Sequence, residues 1–231
     1  MSNEHIFNKS KQVWENNLKL SPQTKLHYPD ENLVRLFSGR YILVPQPPAK
    51  VMDHGFGSAN TLDFLVSRGY DCSGCEISEH IIKEARSHFT DIGKAVDLRL
   101  VEGLDLPFES NSFDVVVSWN VIHYNGKRTA VQKVINELNR VLKPKGVLLL
   151  STIHPNNSLI DRMRPLGGNS YFMETSSQYD NRQGLTFFCA PTVEHLAIMF
   201  DEFIEVKTGS ATADLFNPEE RCAWYLVYAI K

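Results

Sequence analysis

The run Val51-Met52-Asp53-His54-Gly55-Phe56-Gly57-Ser58-Ala59-Asn60 constrains the fold of this chain more than any other stretch. An apolar, β-type run ends in an acid, passes two alternating glycines and enters a segment with helical patterning. Glycine has no side chain, so such a turn lets a ligand touch bare backbone beside a helix start. About twenty residues on, Tyr70-Asp71-Cys72-Ser73-Gly74-Cys75-Glu76-Ile77-Ser78 reads as a second strand ending in another carboxylate. Glu76 stands at the separation expected of a group that holds a ribose diol. Together the two segments describe a βαβ unit for a nucleoside.

A chain of 231 residues, 42% hydrophobic and 22% charged, can bury one good core and is short for two. A single domain is expected. The formal charge of -3 and pI near 6.2 give no electrostatic case for nucleic acid or an anionic membrane as partner, which leaves a small molecule. Met1-Ser2-Asn3-Glu4-His5 lacks the basic-then-apolar pattern of a signal peptide, and apolar runs such as Val147 to Leu150 are too short to span a bilayer. A cytoplasmic location is expected. Of the cysteines Cys72, Cys75, Cys189 and Cys222, only the first two form a C-x-x-C, which is incomplete for a structural zinc site. On a strand, residues three apart face opposite sides, so ordinary reduced thiols and no metal are expected.

The first fifty residues read as two helices, Lys9 to Leu20 and Pro29 to Phe37, the second opening on Pro and then Asp30 and Glu31. Pro45, Pro47 and Pro48 lead into the core. β-rich runs then alternate with helical ones. Strands are predicted at Lys50 to Asp53, Asp71 to Glu76, Asp97 to Val101, Asp114 to Ser118 and Gly146 to Thr152. Helices are predicted at Ala59 to Arg68, Ser78 to Phe89 and Thr129 to Leu142, with a turn or short helix near 104–112. This alternation implies an α/β fold, a mostly parallel sheet covered on both faces. After Pro155 the pattern gives way to a polar, Gly- and Arg-containing segment up to Ala190. It reads as an irregular lid, followed by a helix (Thr192 to Phe200) and strands at Phe203 to Thr208 and Ala223 to Ile230. The expected organisation is an N-terminal helical cap (1–48), a cofactor-binding core (49–153), a lid or acceptor insertion (154–190) and a final helix with a β-hairpin (191–231).

A glycine turn followed by a ribose carboxylate suits a dinucleotide or S-adenosylmethionine. The dinucleotide fingerprint needs a third glycine where Asn60 stands and no acid before the first. Asp53 would repel a pyrophosphate but can help orient an ammonium through the turn. The charge favours the sulfonium cofactor.

Four ordered segments carry a resemblance. They are Val51 to Asn60; Cys75-Glu76-Ile77-Ser78; Val101-Glu102-Gly103-Leu104-Asp105-Leu106-Pro107-Phe108 through Ser112-Phe113-Asp114-Val115-Val116-Val117-Ser118; and Leu138-Asn139-Arg140-Val141-Leu142-Lys143-Pro144-Lys145-Gly146. Over about a hundred residues they resemble the class I S-adenosylmethionine-dependent methyltransferases of the small-molecule, type 11-like kind. The resemblance implies a Rossmann-like, doubly wound seven-stranded sheet, mostly parallel, with a reversed last strand. It implies Asp53, Gly55 and Gly57 at the methionine moiety, with Ala59 in the same turn, Glu76 with Ile77 at the ribose, Glu102, Gly103 and Leu104 at adenine, and Ser118, Trp119 and Asn120 beside the sulfonium. Departures are Ala59 for the third glycine of the family turn, Phe56 for a smaller residue and Glu102 for Asp. Ala59 is tolerable there if its φ is negative.

Methyl transfer from a sulfonium is an in-line displacement, served mainly by alignment and exclusion of water. His123 and Tyr124 after the fourth strand, and His154 after the fifth, are expected at the sheet edge where ligands bind. His154 is the first candidate for a base, His123 competes with it, and Tyr124 and Trp119 build an apolar wall. Tyr28 is a candidate cap. Arg162, Arg164 and Arg182, beside Tyr171, Phe172 and Tyr179, suit a lid over an anionic or sugar-like acceptor. The opening segment, Trp14 through Arg35, resembles sugar-tailoring methyltransferases and favours transfer to oxygen. Ser118-Trp119-Asn120-Val121 departs from the Pro-Pro-aromatic motif of nucleic-acid amino methylation, and no metal-binding Asp-Asp-Asn set is visible. Transfer to a small amine, a non-catalytic cofactor-binding partner subunit and a nicotinamide dehydrogenase are the alternatives.

Overall fold

The computed structural model describes residues 1–20, 26–175, 182–214 and 221–231. Seven strands form the main sheet: β1 (Lys50–His54), β2 (Asp71–Glu76), β3 (Asp97–Leu100), β4 (Phe113–Trp119), β5 (Leu142–Ile153), β9 (Glu205–Asp214) and β10 (Arg221–Ile230). Their order is β3-β2-β1-β4-β5-β10-β9. Pairings among β1 to β5 are parallel, whereas β10 runs antiparallel to both β5 and β9. One reversed strand therefore sits among six that share a direction, the fold the resemblance implies.

The helices are α1 (Asn3–Leu20), α2 (Glu31–Phe37), α3 (Asn60–Ser67), α4 (Glu79–Asp91), α5 (Arg128–Val141), α6 (Ser158–Asp161) and α7 (Val193–Ala197). Short-range chemistry sets their starts. Asp30 caps α2 by accepting from Asn32 N at 2.8 Å, and the Ser78 side chain caps α4. Among the described residues no helix is long and apolar enough to cross a membrane.

Side-chain alternation along the central strands divides the core in two. Val51, Val115, Val117, Val147 and Leu149 pack towards α2, α3 and α4, while Met52, Val116, Leu148 and Leu150 pack towards α5 and α7. On α5, Val131, Val134, Ile135, Leu138 and Val141 recur at helical spacing and are buried. Cys72 and Cys75 join opposite clusters as buried thiols, as their three-residue spacing predicts.

The segment after Pro155 differs from the irregular lid expected of it. It carries α6 and a second, three-stranded antiparallel sheet of β6 (Arg164–Gly167), β7 (Ser170–Phe172) and β8 (Thr186–Phe188). Met163, Met173, Leu185, Phe187 and Cys189 are buried there with Val13 of α1 and Ile153 of β5. Strands of three or four residues are too short for alternation to register, and this small sheet, buried along β8 and exposed along β6, organises what reads as a polar loop.

Candidate functional site

Parallel strands whose crossovers pack on the faces leave their C-terminal ends open, and a cavity of about 450 Å³ lies along that edge. Gly55 (φ +70°) and Gly57 (φ +48°) turn the chain there in the left-handed region. A Cβ on Gly55 would lie 2.7 Å from Val121 Cγ2, so that position needs glycine on two counts. The turn's third position, Ala59, has φ +61°, so the condition under which alanine is tolerable there, a negative φ, is not met. This alanine adopts the glycine conformation under strain.

Phe56 is buried, and it fits because Gly74 on the neighbouring strand lacks a Cβ; one built there would meet Phe56 Cδ1 at 2.7 Å. The bulkier residue in the turn and the glycine in β2 are thus a packed pair. The Asn60 side chain donates to the Tyr28 carbonyl at 2.7 Å, and Leu26 N donates to Ser58 Oγ at 3.1 Å. These bonds fasten the segment before α2 to the turn.

Two acids stand at adjacent strand ends among the residues that line the cavity. Glu76 accepts from Gly57 N at 3.1 Å and from Ile77 N at 2.6 Å. Burial raises its pKa, and the N–H groups of Ile77, Gly57 and Ser78 pull it back down. Asp53 is buried, and its Oδ2 has no hydrogen-bond partner among the described residues. Burial first, then the charge of Glu76, holds its carboxyl well above the ordinary aspartate value. An orphaned acid oxygen beside a second carboxylate calls for a cationic donor, and a carboxylate that lines a cavity suits a diol. S-adenosylmethionine offers both, an ammonium-bearing sulfonium and a ribose, so these residues fit it.

Of the residues implied to hold the cofactor, Asp53, Gly55, Gly57, Glu76, Ile77, Gly103, Leu104, Trp119 and Asn120 line the cavity. Ala59, Glu102 and Ser118 stand outside its lining: Ala59 and Ser118 are buried, and Glu102 is exposed. Ser118 Oγ instead lies 2.9 Å from Nδ1 of His54, a cavity-lining histidine that sequence reasoning passed over. Burial pushes the His54 pKa down to about 4, so its imidazole is neutral near pH 7.

Neither histidine proposed as a base lines the cavity. His154 accepts from Asn156 N at 3.0 Å through Nδ1 and packs on Tyr225 at 4.3 Å between ring centroids. Pairing of β5 with β10 as far as Ile153 and Trp224 carries it to that side. His123 is fully buried, stacked on Phe187 with centroids 5.7 Å apart, and burial pushes its pKa down to about 3. Tyr124, the third candidate, does line the cavity.

Among the acceptor candidates, Tyr28 and Arg182 line the cavity. Arg162 is exposed, Arg164 pairs with Glu174 and lies over Phe172, and Tyr171 packs in the third cluster; all three stand away from the cavity. The second sheet's own hairpin engages Arg164 and Tyr171. Tyr179 lies outside the described residues. In their place stand Phe7, Ser10 and Trp14, one face of α1 at i, i+3 and i+7, together with Trp224 of β10. Trp14 meets Tyr124 edge-on at 5.1 Å, and Ser10 donates to the Tyr124 carbonyl at 3.3 Å. The helical spacing of Phe7, Ser10 and Trp14 was the available signal, and it is missed when the helix is started at Lys9.

A family model described as a methyltransferase domain matches residues 52–150. The chain is similar to the uncharacterized methyltransferase YodH of Bacillus subtilis, 30% identical over 105 residues that cover 46% of this chain and 43% of the relative. It is also similar to a glycine/sarcosine/dimethylglycine N-methyltransferase of Actinopolyspora halophila, at 26% identity over 93% of this chain and 38% of the relative. A ubiquinone biosynthesis O-methyltransferase of Thiobacillus denitrificans matches at 30% identity over 62% of this chain and 58% of the relative. The chain thus spans between 38% and 58% of the length of these relatives. Among solved structures, a SAM-dependent methyltransferase from Methanosarcina mazei superposes with a TM-score of 0.67 at 18% identity, covering 88% of this chain and 98% of that one.

Proposed function

We propose that residues 52–150, which match a methyltransferase-domain model, form a class I, S-adenosylmethionine-dependent domain, and that the chain methylates a hydroxyl of a small-molecule acceptor. The observation that carries this reading is the pair of acids that line the cavity. Glu76 is held by Gly57 N and Ile77 N, and buried Asp53 has an unpartnered oxygen. When bound, the sulfonium supplies a methyl group whose bond to sulfur breaks, with the electron pair left on sulfur, as the bond to the acceptor oxygen forms. Glu76 holds the ribose, Asp53 meets the positive end through its free oxygen, and the backbone at Gly55 and Gly57 leaves room for close approach. Trp119 and Asn120 line the edge beside the reacting centre, and the wall of Trp14, Tyr124 and Trp224 excludes water from it. A phenolic or enolic hydroxyl then has only to release its proton to water. Cytoplasmic action without a metal belongs to the same reading.

The test is incubation with methyl-labelled S-adenosylmethionine and a panel of hydroxyl and amine acceptors, following labelled product and S-adenosylhomocysteine. Turnover with hydroxyl acceptors supports the proposal. Turnover with amines alone would replace it by the second reading, which the match to an N-methyltransferase over 93% of this chain favours. Binding of the cofactor with no turnover on any acceptor would leave the chain a cofactor-binding partner.

A further inference from the structure

The cavity crosses most of the sheet, and its two halves differ in chemistry. Four strand steps separate Glu76 on β2 from Trp224 on β10 in the sheet order, roughly 19 Å at ordinary strand spacing. The β1–β2 half carries Asp53 and Glu76. The opposite half is walled by the rings of Phe7, Trp14, Tyr124 and Trp224, with Arg182 beside them.

Arg182 is the only lysine or arginine among the described residues that line the cavity. Its place on the aromatic side follows from two contacts. The Arg182 carbonyl accepts from Leu185 N at 3.1 Å, which closes the turn into β8, and Phe187 of β8 stacks on His123, next to Tyr124. The Arg182 charge also acts on His123 directly, helping to depress its pKa.

We propose that this half is the acceptor subsite and that it takes a small planar carboxylic acid, its flat body among Trp14, Tyr124 and Trp224 and its carboxylate on Arg182. The inference rests on the methyl-transfer reading above and names its substrate class. Aromatic walls desolvate a flat ring with little entropy cost and offer few of the polar partners that a sugar's hydroxyls need. A guanidinium presents a planar fork that matches a carboxylate in two parallel hydrogen bonds, and it repels an ammonium. Asp53 and Glu76 are committed to the cofactor half, and the third acid among the described lining residues, Asp30, caps α2 near Tyr28, which Asn60 ties to the glycine turn, so a cationic acceptor on the aromatic side would meet Arg182 first.

The experiment is calorimetric titration of the full chain with 4-hydroxybenzoate, 4-hydroxybenzamide and tyramine, which share a phenol and carry an anion, a neutral group and a cation. Each is titrated with and without S-adenosylhomocysteine, on the native chain, Arg182→Lys and Arg182→Gln. The expected result is that the acid binds at least about tenfold tighter than the amide, that Arg182→Gln abolishes this preference, and that Arg182→Lys retains part of it. S-adenosylhomocysteine affinity should stay unchanged in both variants, which also certifies that they fold. Equal or tighter binding of the amide or the amine, binding of none of the three, or an intact preference in Arg182→Gln would overturn the proposal. Failure of S-adenosylhomocysteine to bind the native chain is a separate result, and it would overturn the methyl-transfer reading itself.

Discussion

Gly57 donates its backbone N–H to Glu76 Oε2 at 3.1 Å, joining the turn after the first strand to the end of the second. The bond fixes the carboxylate before any ligand arrives, and Ile77 N holds its other oxygen at 2.6 Å. A carboxylate has about four acceptor sites, and what these backbone N–H groups leave is available to a diol. The glycine turn and the ribose acid therefore form one preorganised unit, and what disturbs the turn should be read out at Glu76.

Asp53 contributes against stability at neutral pH. Its folded pKa is raised, by burial first and then by Glu76, so between the ordinary aspartate value and the raised one the native state binds a proton that the unfolded chain has released. Its contribution is most favourable at low pH and is lost as pH rises from the ordinary aspartate value through the raised one. Asp53→Asn should stabilise the ligand-free protein at pH 7.5 by about 1 kcal/mol or more, seen as a higher urea midpoint. It should also weaken S-adenosylmethionine binding about tenfold. A lowered midpoint with unchanged affinity would contradict both roles.

Gly74 and Phe56 should behave as a coupled pair. A Cβ at Gly74 meets Phe56 Cδ1 at 2.7 Å and Leu62 Cδ1 at 3.0 Å, so Gly74→Ala should cost about 1–3 kcal/mol. Displacing Phe56 should also disturb the turn and weaken cofactor binding. Phe56→Leu in the same chain should recover much of the loss, which urea denaturation of the two singles and the double measures. Simple additivity would count against the pairing.

Ala59 holds a left-handed φ of +61°. Ala59→Gly should relieve that strain and raise stability by about 0.5–1 kcal/mol net of the extra freedom of an unfolded glycine. In a chain of this size that corresponds to a rise in the melting temperature of about 1–4 °C. Ala59→Val, which forces a β-branched residue into the same conformation, should lower it.

The buried histidines predict the acid limb of the stability curve. His54 is lowered to about 4 and His123 to about 3, mainly by burial. Groups with depressed folded values contribute stability in full above the ordinary histidine pKa, about 6.5, and lose it as pH falls from there through the folded values. His123→Phe keeps the ring stacked on Phe187 and removes the proton-binding site. It should flatten the loss of stability as pH falls from about 6.5 through about 3 and leave methyl transfer within about threefold of the native rate. A hundredfold loss of turnover in the folded variant would restore His123 as a catalytic candidate.

The sheet was legible because its residues report on neighbours close in sequence: the β-rich runs of β1 to β5, the glycine turn and the spacing to Glu76 all lie within one βαβ rhythm. Asp71–Glu76 is found where the pattern puts it, and β5 starts earlier than predicted because Leu142 already pairs with Phe113. The acceptor side was not legible. Its wall joins α1, the residues after β4 and β10, which meet only through tertiary packing, and β6 to β8 are too short to show a period. Ring directions are equally hidden: His154 ends a strand at the right edge, yet Asn156 N and Tyr225 decide where its imidazole lies. The strain at Ala59 was invisible for a simpler reason, since the residue type alone suggests a negative φ.

The most direct test of the account is isothermal titration of the purified chain with S-adenosylmethionine, S-adenosylhomocysteine and NADH, repeated on Glu76→Ala. The account predicts micromolar binding of the first two, no comparable binding of NADH, and a loss of about thirtyfold or more in the variant, the worth of hydrogen bonds from a diol to one charged carboxylate. Preference for NADH, or equal cofactor affinity with and without the Glu76 carboxylate, would contradict it.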